Sequence, residues 1–197
     1  MSPVLDPVSR DELLMALDGA AREIGHYFAG LDAAVFLDGT LDQWAPAHHL
    51  DHLIRSNGPV AGGLGVARAR LQALPPQHRP RNYAEVRNSY HAVLATGARA
   101  SGRWLPQPEG TQAALVERYR ASLDALAQAL EGWADPELDA WAMPHPALGV
   151  LSVREMLLFT LMHNWHHEGG VRARLGHAAQ EAAHADEVVP HAAGGGQ

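Results

Sequence analysis

The sequence predicts an all-α fold, a four-helix bundle with long connections, and three observations carry that expectation. Long stretches repeat apolar residues at alternating steps of three and four, the spacing that lines one face of a helix. The first and last of these stretches open on Ser-x-x-Glu, in which serine and glutamate satisfy each other's free backbone N–H groups. Nowhere do apolar and polar residues alternate as they would along a half-buried strand. At 197 residues the chain can bury one substantial core.

The first helix is predicted over Arg10 to Leu37. Ser9 and Glu12 cap it, and Leu13, Leu17, Ala20, Ile24, Tyr27, Leu31 and Val35 form its stripe. A second helix starts near Pro46, since proline is tolerated in a first turn whose N–H groups have no partner. Asn57-Gly58-Pro59 is expected to interrupt or kink it, with Val66 to Leu74 resuming as helix. Residues 75 to 110 hold five prolines and three glycines and read as a long connection, with a short helix over Tyr83 to Ala95. From Thr111 the stripe Leu115, Tyr119, Leu123, Leu126, Leu130 and Trp133 gives a third long helix. A second connection, Asp135 to Gly149, precedes the last helix, which opens on Ser152-Val-Arg-Glu155 and runs to about Leu175. Residues 1–176 thus form one domain. Residues 177–197, rich in alanine and glycine, are expected to be a disordered tail.

Composition narrows the function. The net charge is −7 with no basic run, which argues against nucleic acid as a partner. The longest strongly apolar stretch, Met156 to Met162, is far short of the ~18–20 residues that span a bilayer. The N-terminus carries no signal-peptide pattern, so a soluble, cytoplasmic protein is expected. There is no cysteine, hence no disulfide, no thiolate nucleophile and no cysteine–zinc site. Against that background, 13 histidines stand out.

The last helix is apolar nearly all round from Met156 to Met162, which makes it the most buried element. Its inward stripe continues as Val153, Met156, Thr160, His163, His167, Gly170 and Arg174. Two histidines at i and i+4 project from adjacent turns of one face, which lets both imidazoles reach one metal ion. Two unpaired imidazoles on a buried stripe are costly, whereas a metal satisfies both. The alternative is a pair of core-edge histidines bonded to neighbouring helices or water. A third ligand is available on the second helix, where His48, His49 and His52 are all candidates and spacing alone does not choose among them.

Trp44-Ala-Pro-Ala-His-His-Leu-Asp-His52-Leu53 resembles the tryptophan-then-histidine signature of the DinB-like metal-binding four-helix bundles. That superfamily includes the bacillithiol transferases and the mycothiol-dependent maleylpyruvate isomerases. His163-Asn-Trp-His-His167-Glu-Gly169 resembles its C-terminal His-x-x-x-His, and the resemblance covers about residues 10 to 176. It implies His52, His163 and His167 as ligands of one divalent metal; all-nitrogen ligation suits zinc, nickel, iron or copper, with zinc or nickel expected first and iron next. It also implies a low-molecular-weight thiol cosubstrate, a small-molecule electrophile and a dimeric state. Ala45 departs from the serine that commonly follows the tryptophan, and Gly170 from a frequent glutamine; both bear on the pocket rather than on the ligands.

Three neutral histidines leave coordination positions open, as catalytic rather than structural sites do. An open metal can activate water for hydrolysis or hold a thiol as thiolate. The resemblance implies the second, a metal-dependent transferase with the thiol attacking an electrophile. The other readings are a metal-dependent hydrolase, a non-catalytic metal or small-ligand bundle, and a metal-free scaffold. Asp51 and Glu168 are candidate acceptors for ligand N–H groups, Glu155 reads as a cap, and Asn164 sits beside a candidate ligand. Trp44 and Trp104 read as packing and loop-anchoring residues. The tail histidines His177, His184 and His191 are expected to be solvated.

Overall fold

A computed structural model describes residues 6–40 and 43–177. Four long helices surround one core: α1 (Arg10–Ala29), α3 (Pro46–Leu64), α5 (Gln112–Glu131) and α6 (Val153–Leu175). Helix α1 packs on α5 and α6, and α3 packs on the same two, so the four close a ring. The short α2 (Ala33–Leu37) lies on α3, and α4 (Tyr83–Ala95) lies on α6. The fold is therefore mostly helical, as expected, with two capping boxes where the sequence places them, at Ser9/Glu12 and Ser152/Glu155. Among the described residues no helix is long and apolar enough to cross a membrane.

The first helix does not run unbroken to Leu37. It stops at Ala29, because Gly30 is a poor helix residue and the Asp32 carboxylate, accepting from the Ala34 N–H, caps a new start at Ala33. The break rotates the chain so that Phe36, rather than Val35, enters the core. The opposite departure occurs at Pro59, which α3 carries inside it without stopping. The residue before it is Gly58, whose missing Cβ removes part of the clash that normally drives a pre-proline residue out of the helix.

A small antiparallel sheet is present that the sequence does not announce: β1 (Gln72–Ala73), β2 (Trp141–His145) and β3 (Gly149–Ser152), in that order. Segments of two, five and four residues are too short to show an alternating pattern. Val66 to Leu74, expected as helix, instead forms one 3-10 turn at Arg68–Arg70 and then β1. Pro144 is tolerated in the middle strand because β1 reaches only as far as Ala142, leaving that edge of β2 unpaired. The β2–β3 turn needs Gly149, whose φ of 73° strains any other residue.

Two buried polar clusters fix the registers that matter for the site. Asn57 on α3 and Asn164 on α6 exchange an amide bond, Asn164 Nδ2 donating to Asn57 Oδ1 at 3.1 Å, and Asn57 Nδ2 donates to Ser122 Oγ on α5 at 3.0 Å. This pins α3 against α5 and α6 one turn from His52 and next to His163. Asn164 is fully buried, and its amide is taken up by Asn57 and the Thr160 carbonyl. At the start of α6, Glu155 does more than cap: it accepts from Arg81 Nε at 2.9 Å and from the Arg81 N–H at 3.0 Å, and meets His78 Nε2 at 2.8 Å. That tacks the β1–α4 connection onto α6. The expected disordered tail lies outside the described residues except for His177, whose Nδ1 stands 3.2 Å from the Tyr27 hydroxyl, so this histidine is exposed but not merely solvated.

Candidate metal centre

Helix α6 delivers His163 and His167 on one face, and α3 brings His52 across from the facing helix. His163 Nε2 is the meeting point, 3.0 Å from His167 Nε2 and 3.3 Å from His52 Nε2. All three ligand atoms lie within 4.8 Å of one another, so the cluster could hold a metal ion. The two separations from His163 suit one, while the 4.8 Å span of the trio exceeds the about 4.2 Å that two metal–nitrogen bonds reach, so the rings must close in slightly around an ion. Two imidazoles at about 2.0–2.1 Å from an ion place their nitrogens about 2.9 Å apart at a right angle and about 3.3 Å apart at the tetrahedral angle.

The tautomer of His52 points the same way. Its Nδ1 lies 2.7 Å from the Trp104 carbonyl, which can only accept, so Nδ1 carries the proton and Nε2 presents its lone pair to the cluster. The carbonyl is held in turn, because Asp51 accepts from the Gln107 N–H at 2.7 Å and so anchors the loop that carries Trp104. Trp104 thus orients His52 through its backbone carbonyl. Asp51 itself touches no ligand; its other partner is Arg55 Nε at 2.6 Å. Glu168 likewise pairs with Arg172 rather than with a ligand.

Sequence reasoning missed the part that His49 plays. Its Nδ1 stands 2.8 Å from His167 Nδ1, so it holds the far nitrogen of a candidate ligand. A bond behind a ligand fixes its ring and is worth roughly 10–100-fold in metal affinity. His49→Ala is therefore expected to weaken divalent-metal binding by about that factor without abolishing it, as isothermal titration of the metal-free protein would read. Trp44 covers the same end, its ring stacked on His167 at 6.1 Å and tilted against His52 at 5.1 Å. The other candidates stay outside. His166 is exposed and turned toward His91 and Tyr90, and His48 Nδ1 bonds to no group among the described residues.

Burial sets the charge state. Desolvation, reinforced by the neighbouring imidazoles, drives His163 and His167 well below the usual 6.5. Desolvation also lowers His52, against the opposing pull of the Trp104 carbonyl and Asp51. His49 falls to about 4, chiefly through burial and then through Arg174. All four are neutral at pH 7, the form in which imidazole can bind a metal.

No family model, no curated protein and no solved structure matches this chain. The site must therefore be read from its own geometry.

A cavity of about 410 Å³ opens onto His52 and His163. Its walls are largely apolar, with Val60, Met156, Phe159 and Trp104 among them. Arg99, Arg103, Tyr90 and His145 supply polar groups, and none of the described lining residues is acidic. Two of the three clustered histidines thus face a space large enough for a small molecule. His145 was not singled out from sequence; the Pro-His-Pro run ahead of Ala-Leu-Gly149 marks a turn, but nothing in it says which way the ring faces.

Proposed function

We propose that this protein is a metal-dependent enzyme of the DinB-like bundle type that transfers a low-molecular-weight thiol to a small electrophile. The observation that carries the reading is the convergence of three neutral histidines, two of which, His52 and His163, line a largely apolar cavity. His52, His163 and His167 would hold a divalent ion, zinc or nickel before iron, and such an ion would supply the Lewis acidity that favours a thiolate at neutral pH. The chain's own residues do the rest. Trp104 and His49 orient the ligand rings, Trp44 covers the cluster, and Phe159 and Met156 form a dry wall for the electrophile. Dimerisation and a cytoplasmic site of action belong to the same proposal.

The test has two stages. Untagged protein is expected to carry about one divalent ion per chain by elemental analysis, as a three-histidine site would. The loaded protein is then mixed with monochlorobimane and, in turn, bacillithiol, mycothiol, glutathione and coenzyme A. Rate enhancement with at least one thiol, lost on chelation and restored by the metal, supports the reading. A bound metal with no enhancement for any thiol reduces it to a metal-binding bundle, and protein without metal removes it.

A further inference from the structure

The cavity contains a hydrogen-bond donor whose direction is fixed by the fold. His145 ends β2, and its Nδ1 accepts two backbone N–H bonds from the following turn, from Ala147 at 3.1 Å and from Leu148 at 3.0 Å. An imidazole nitrogen that accepts two N–H bonds carries no proton, so the proton of the neutral ring is on Nε2. Among the described residues no group bonds that Nε2, although the ring lines the cavity and packs on Phe159 with centroids 4.2 Å apart. Phe159 in turn stacks on His163, at 5.2 Å and 19° between planes, so the donor stands one ring away from the clustered histidines.

Further donors stand in the wall beside the hydroxyls of Ser56 and Ser101. Tyr90 brings a hydroxyl with no partner among the described residues, and Arg99 and Arg103 bring guanidinium groups, the second lying over the Trp104 ring at 4.4 Å. In a chain of net charge −7, a cavity with two cations and no described acidic group is selective in sign. It suits an apolar body that carries an oxygen acceptor and repels a cationic one.

We propose that His145 is a specificity-determining residue, its fixed Nε2–H donating a hydrogen bond to a carbonyl or carboxylate oxygen of the substrate. This rests on the reading that the cavity takes the substrate, and it is independent of whether a metal is bound. His145 is not a base in this role, because the lone pair it would need is already engaged by the turn. Arg99 and Arg103 favour the carboxylate over the neutral carbonyl.

Two substitutions separate the donor from the turn. In His145→Asn the side-chain oxygen replaces Nδ1 as the acceptor for the turn, and the cavity donor is lost. In His145→Gln the amide N–H reaches the place of Nε2, and the turn acceptor is weakened. The full chain, kept metal-free with chelator so that no probe binds an ion, is titrated with benzoate, acetophenone and ethylbenzene by nuclear magnetic resonance. Long-range proton–nitrogen spectra should show the His145 ring protonated at Nε2, and benzoate and acetophenone, but not ethylbenzene, should shift that nitrogen. Benzoate should bind more tightly than acetophenone. His145→Asn should weaken benzoate binding about tenfold with an unchanged melting temperature, and His145→Gln should retain it within a few-fold. A ring protonated at Nδ1, no shift with any probe, undiminished binding by His145→Asn, or equal losses in both variants would each overturn the proposal. Repeating the titration with metal distinguishes this failure from that of the proposed function, since an absent metal leaves the metal-free result standing.

Discussion

His163→Ala is expected to leave the protein unable to retain a divalent ion. His163 Nε2 is the atom that both other candidate ligands approach, at 3.0 and 3.3 Å, so its loss dismantles the cluster rather than trimming it. The fall in affinity should exceed the roughly 10–100-fold that removal of a bond behind a ligand costs. In the wild type, metal at about 100 times its dissociation constant adds about 2.7 kcal/mol, a melting shift on the order of 5–10 °C for a domain of this size. Chelation should therefore lower the wild-type melting temperature and leave that of His163→Ala unchanged. Because His163 is buried and alanine leaves a void, His163→Gln serves as the fuller-volume companion and should behave the same way. His166→Ala, at an exposed ring outside the cluster, should keep its metal. Retention by His163→Ala together with loss in His166→Ala would move the centre to another set of residues.

Glu155→Gln is expected to be the costliest conservative change in stability. The carboxylate is 1% exposed and bonds Arg81, His78 and the Ser152 N–H at once, so the amide leaves buried partners unmatched. Breaking a buried charge pair of this kind costs about 3 kcal/mol. Burial raises the carboxyl pKa, but Arg81, Ser152 and His78 together outweigh it and hold the group below its usual 4.5. A lowered folded pKa means that the contribution is complete above the unfolded value and disappears as pH falls through the folded one. Denaturant unfolding of wild type and variant should differ fully at pH 7, and the two should begin to converge only as pH falls below the usual 4.5. A gap that persists undiminished to pH 3 would show that the stability comes from shape rather than from the ionised carboxylate.

How much of this was legible beforehand depended on the range of each signal. Stripes such as Leu115-Tyr119-Leu123-Leu126 on α5 are written at helical spacing, and they formed as read. Capping boxes at Ser9 and Ser152 are complete within four residues, and both appear. The break at Gly30 is not legible because it depends on one neighbour, Asp32, and of the interruption or kink expected at Pro59 the interruption does not occur, beside Gly58. The three-stranded sheet left no pattern, since its strands are shorter than the window in which alternation can be seen.

The candidate site divides in the same way. The pairing of His163 with His167 is local, one turn of one helix, and so it is present in the sequence itself. Choosing His52 over His48 and His49 requires knowing how α3 is rotated against α6, which the buried Asn57–Asn164 pair helps to fix. The carbonyl of Trp104 behind His52, the ring of His49 behind His167 and the direction of His145 are contacts across 52, 118 and two to three residues of chain. Only the last is short, and it was hidden because a turn's hydrogen bonds depend on backbone angles that side-chain identity does not specify. The sequence by itself determined the helices, their buried faces and one pair of histidines, because those follow from periodicity along a single element. The tertiary structure decided the third histidine, the tautomers and the cavity, because each depends on how separate elements meet.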